Sequence, residues 1–70
     1  MKNKAYWEKR ATILKGIAEL KAKLANTDYM AIKYAEGVLT LSDYLKTKEQ
    51  RQAWRAEINA LEANLRALEV

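Results

Sequence analysis

The sequence predicts an all-α fold, an antiparallel hairpin of long helices with a short connecting helix, assembled into an oligomeric bundle. Three observations carry this. There is no Pro and only two Gly in 70 residues, while Ala, Leu, Lys and Glu abound, so little resists helix and much favours it. Apolar residues recur at spacings of three, four and seven, the period of a helix face. Capping residues fall in two short clusters that divide the chain into its elements.

The first helix is expected from about Lys4 to Ala25. Tyr6, Ile13, Ile17, Leu20 and Leu24 form one apolar stripe, and Trp7, Ala11, Leu14, Ala18, Ala22 and Ala25 form a second beside it. Gly16 lies inside this helix and costs about 1 kcal/mol relative to Ala. With a chain reversal near residue 35, Gly16 falls opposite Trp54, and admitting that ring would explain the glycine.

Asn26-Thr27-Asp28 reads as an interruption, because each side chain can accept from an orphan N–H at a helix start. A short helix is expected to follow, about Asp28 to Glu36, capped by Thr27 or Asp28 and ended by Gly37 in a left-handed conformation. Val38 and Leu39 connect to the last helix, about Leu41 to Glu69, for which Thr40 or Ser42 is the cap. Thr40-x-x-Asp43 resembles a capping box with Asp in the Glu position.

In that helix Trp54, Ile58, Leu61, Leu65 and Leu68 make a heptad seam. Ala53, Ala56, Ala60, Ala63 and Ala67 make a second row roughly opposite the first. Charge favours an antiparallel pairing. Residues 1–25 hold seven basic and two acidic side chains, while residues 57–70 hold Glu57, Glu62 and Glu69 against Arg66. Exposed pairs are worth only about 0–1 kcal/mol each, but together they select one orientation.

Size makes assembly attractive. A chain of this length buries roughly 60% of its unfolded surface and usually needs disulfides, metal or oligomerisation. It contains neither Cys nor His, which removes disulfides, thiolate metal sites and the commonest metal ligand and acid–base catalyst. No metal or cofactor is expected. The first helix has an apolar face wider than one partner covers, so a homo-oligomer, foremost a dimer, is expected. Its interface is expected to use Trp7, Leu14 and the row Ala53, Ala56, Ala60, Ala63 and Ala67. The alanines have a plainer reading as good helix formers facing water.

Function classes divide as follows. No Ser/His or Cys/His set and no Gly-rich phosphate loop is present, so the chain is expected to be non-catalytic. A net charge of +4 and a pI near 9.5 could attract phosphate, and Tyr29, Lys33, Tyr34, Tyr44, Arg51 and Arg55 offer rings and cations for a nucleotide or nucleic acid. Against that, the tyrosines can simply close one end of the hairpin, and no nucleic-acid motif appears. There is no run of about 18 apolar residues, and none follows the basic N-terminus, so neither a membrane span nor a secretory signal is expected.

The pattern Thr27-Asp28-Tyr29-x-x-Ile32-Lys33-Tyr34-Ala35-Glu36-Gly37, then Asp43-Tyr44, then Gln50-Arg51-Gln52-Ala53-Trp54-Arg55-x-Glu57-Ile58-Asn59-x-Leu61-Glu62, resembles small helical accessory proteins encoded by bacteriophages and prophages. The resemblance covers about residues 24–62. It implies a bacterial host's cytoplasm or a virion as the setting, and another phage or host protein as partner. It leaves open a role in virion assembly or structure and a role as a small inhibitor of bacterial immunity, which would grip a defence protein or sequester a nucleotide signal.

Overall fold

The computed structural model describes residues 2–69. It contains two helices, α1 (Lys4–Ala35) and α2 (Leu41–Glu69), paired antiparallel in a rod of 54 × 16 × 15 Å. The hairpin and its orientation agree with the sequence. Arg10 meets Glu69 at 3.1 Å, which sets the basic start of α1 beside the acidic end of α2.

Asn3 caps α1, its side-chain oxygen accepting from the Tyr6 N–H at 3.0 Å. The helix then runs for 32 residues without a break. The expected interruption at Asn26–Asp28 and the separate connecting helix at 28–36 are therefore corrected: they are the last turns of α1. The reason is local. The Thr27 hydroxyl turns back along its own helix, donating to the Leu24 carbonyl (3.0 Å) or the Lys23 carbonyl (3.2 Å), so it does not cap a new one. An N-cap would also require extended backbone there, and that would take Ala31 and Tyr34 off the seam.

The helix ends as the glycine foretells. Gly37 has φ 79, its N–H donates to the Tyr34 carbonyl (3.0 Å), and the Val38 N–H donates to the Lys33 carbonyl (2.9 Å). Those two bonds are a Schellman closure. Thr40, one of the two expected caps, begins α2, its hydroxyl accepting from the Asp43 N–H at 3.2 Å.

Both helices present an alternating three–four spacing. On α1 the seam runs Tyr6, Arg10, Ile13, Ile17, Leu20, Leu24, Thr27, Ala31 and Tyr34. On α2 it runs Tyr44, Thr47, Arg51, Trp54, Ile58, Leu61, Leu65 and Leu68. Ile17, Leu20 and Ile58 form the buried centre, with Ile13, Leu24, Trp54 and Leu61 packed against them. Among the described residues no side chain reaches full burial, because two helices cannot surround one another.

Gly16 does not face Trp54. A Cβ there would lie 3.1 Å from the Leu61 side chain. The register differs because the reversal spans 36–40, later than residue 35, which moves every α1 residue to a later partner on α2.

Candidate interaction surface

The expected binding residues divide between two jobs inside the hairpin. Arg51 occupies a seam position and is 8% exposed. Its Nη1 donates to the Leu24 carbonyl (2.9 Å) and the Thr27 hydroxyl (2.7 Å), and meets the Asp28 carboxylate at 3.0 Å. The Thr27 hydrogen points to its own backbone, so the oxygen's lone pairs are left facing the guanidinium. Thr27 and Asp28, with the Leu24 carbonyl, thus supply acceptors for a buried cation instead of a helix start. Such a polar layer fixes register, since sliding either helix would bury the charge without acceptors.

Tyr44 is also buried and stacks on Tyr34, ring centroids 4.8 Å apart and planes 14° from parallel. The pair closes the seam at the connection. Lys33 covers the ring of its helix neighbour Tyr29 at 5.0 Å. Arg55 stands exposed one turn beyond Arg51. The structure therefore gathers Tyr34 with Tyr44 and Lys33 with Tyr29, and commits the Arg51 guanidinium to α1. It does not converge the six on one concave site.

The two sides of the rod differ. Because the helices run oppositely, residues that directly follow a Tyr6-type or Thr47-type seam position lie on the same flank. On α1 these are Trp7, Leu14, Lys21, Asp28 and Ala35; on α2 they are Leu41, Lys48, Arg55, Glu62 and Glu69. The Arg51–Asp28 pair spans this flank. Ala11, Ala18, Ala25 and Ile32 extend it outward on α1, and Leu45 does so on α2. Trp7 is 55% exposed, Ile32 56%, Leu41 50% and Leu45 46%, with Leu14 and Val38 exposed as well.

The opposite flank is polar or small. It holds an open groove of about 580 Å³ between Lys9, Thr12, Asn64 and Ala67, with Ile13 and Leu68 at its floor. The row Ala53, Ala56, Ala60, Ala63 and Ala67 is exposed on the side of α2 turned away from α1. It shares no continuous surface with Trp7 and Leu14. What the sequence reading missed are Ile32, Leu41, Leu45 and the charge order of Lys48, Arg55, Glu62 and Glu69. Extending the heptad lettering of α1 through Asn26–Asp28 would have found Ile32, and lettering the flank of α2 from Leu41 would have found the others.

Two groups at the open end are electrostatically perturbed. Glu69 Oε1 accepts from the Tyr6 hydroxyl (3.0 Å) and the Arg10 Nε (3.1 Å). The Tyr6 and Arg10 hydrogen bonds hold the Glu69 carboxyl below the usual range. Partial burial, then the facing carboxylate, push the Tyr6 hydroxyl up.

No family model, curated protein sequence or solved structure matches this chain. Among the described residues no helix is long and apolar enough to cross a membrane.

Proposed function

We propose that this chain is a non-catalytic accessory protein of a bacteriophage that works by packing helix on helix with proteins, in assembling the virion or as part of it. The observation that carries the reading is the flank bearing Trp7, Leu14, Ile32, Leu41 and Leu45. Large apolar side chains lie exposed along one side of a rod whose own core is thin. Large apolar side chains left exposed on one flank suit an interaction surface. The phage setting rests on the resemblance of residues 24–62, and the working location is the bacterial cytoplasm or the particle.

A nucleotide-sequestering role draws less support. It calls on Arg51 and Tyr44, which are buried and already partnered.

The test is compositional. Particles and assembly intermediates are purified from a host producing the phage, and their proteins identified by mass spectrometry. The chain is expected in one of the two, and Leu14→Glu is expected to deplete it. Absence from both overturns the assembly role.

A further inference from the structure

We propose that a second copy of this chain covers the Trp7 flank, packed antiparallel so that α1 lies on α1 and α2 on α2. The proposal rests on the reading that the chain acts by helix association, and names its first partner.

Surface area supports a partner of this size. The chain exposes 5302 Å², whereas a compact monomer of 8.1 kDa exposes about 4,500 Å². The surplus is about 800 Å², which is what one partner of a standard interface buries.

The apolar residues are placed for self-association. Trp7 lies three residues inside the start of α1, and Ile32 three residues inside its end. A two-fold axis crossing the rod between Glu19 and Leu20 therefore sets Trp7 of each copy on Ile32 of the other, with the rods overlapping along their full length. Between these ends Ala11, Ala18 and Ala25 keep the helices close. Lys21 falls opposite Ala18 of the second copy, which leaves its long side chain a route to water.

The charges on α2 obey the same axis independently. The Arg10–Glu69 and Tyr34–Tyr44 contacts set Leu20 near the level of Ile58, with which it shares the buried cluster, so the axis passes α2 close to Ile58 and Asn59. The α2 residues on this flank read Lys48, Arg55, Glu62, Glu69: two bases, then two acids. About that axis Lys48 meets Glu69 of the second copy, and Arg55 meets Glu62. Both internal contacts of Glu69 use Oε1, leaving Oε2 for the lysine. Asn59 faces Asn59 of the second copy. An axis along the rod would instead lay α1 on α2, opposing Lys21 to Arg55 and setting Trp7 and Leu14 against Glu69 and Glu62. That arrangement is repulsive and buries carboxylates on apolar groups.

Sedimentation equilibrium of the full chain at micromolar concentration is expected to give twice 8.1 kDa. Arg55→Glu alone and Glu62→Arg alone are each expected to weaken self-association at least about tenfold. An equimolar mixture of the two is expected to restore it, since in the mixed dimer each of the two 55–62 contacts then pairs an acid with a base. Circular dichroism checks that each variant keeps its helix. A readout independent of charge is Asn59→Cys, expected to couple to itself through a short bismaleimide, while Lys48→Cys does not. A monomeric wild type, a mixture no tighter than its components, or an Asn59→Cys dimer that fails to couple each overturns the proposal. A dimer absent from particles would remove the assembly role and leave this one; a monomer found in particles would do the reverse.

Discussion

Between Ile13 and Leu24, α1 meets α2 through aliphatic side chains. Between Thr27 and Tyr34, the same seam positions carry a hydroxyl, an alanine and a phenol, facing Arg51, Thr47 and Tyr44. The first stretch draws its stability from burial, with Ile17, Leu20 and Ile58 each at 6–7% exposure. It specifies register weakly, because one aliphatic layer resembles the next. The second stretch contributes less hydrophobic energy but disfavours a slip, which would take Arg51 away from the Leu24 carbonyl, Thr27 and Asp28. Strength and specificity are thus divided between the two halves of one seam.

Substitutions can break that division from either side. Leu20→Ala should have the largest effect, about 3 kcal/mol by chemical denaturation, because it removes buried methyl groups from the centre of the aliphatic half. Arg51→Ala should cost about 2 kcal/mol, leaving acceptors of α1 without their donor. Arg51→Leu should recover most of that loss, since an apolar layer replaces a polar one. If specificity is what Arg51 supplies, the Leu variant will be stable yet show more than one set of amide resonances. A single sharp set for Arg51→Leu would assign register to the aliphatic half instead.

The connection comes next. A Cβ at Gly37 would touch nothing within 4 Å, so the position requires glycine for its backbone alone. Gly37→Val should cost about 1–2 kcal/mol, the strain of a left-handed residue. An unchanged denaturation midpoint would mean that the Schellman closure contributes nothing.

Much of this was legible in the sequence, and the misses share one cause. The two heptad rows, the antiparallel orientation, Gly37 and Thr40 follow from local rules of period, charge and capping. The role of Thr27 and Asp28 did not, because the same side chains cap a helix start or accept from across a seam, and only the partner decides which. Arg51 is that partner, a cation at a position whose neighbours are apolar. Once the break is assigned, the reversal moves, and Gly16 is matched with Trp54 where the structure gives Leu61. The candidate surface was blurred for the same reason. Without a continuous α1, Ile32 cannot be placed on the stripe of Trp7 and Leu14.

The smallest effect belongs to the open end, where Tyr6, Arg10 and Glu69 clasp the seam beyond its last aliphatic layers. These groups are exposed, Arg10 and Glu69 at 39% and 46%, so salt screens them. The sign of their pH dependence is nevertheless fixed. Hydrogen bonds from Tyr6 and Arg10 lower the folded-state pKa of Glu69, so its contribution is complete above the ordinary glutamate range, near pH 4, and fades as pH falls through the lower folded value. Tyr6 is raised, first by burial and then by the carboxylate. Its contribution is complete below about pH 10, the ordinary tyrosine value, and is lost as pH climbs through the higher one. The clasp therefore operates between those limits. Thermal melts of wild type and Glu69→Gln, in protein dilute enough to hold single hairpins, should differ by a degree or two at pH 7 (roughly, for a weak exposed pair) and converge as pH falls through the lowered Glu69 value. A gap that does not narrow as the carboxyl is protonated would show that Glu69 acts through packing of its stem, and that the clasp is not electrostatic.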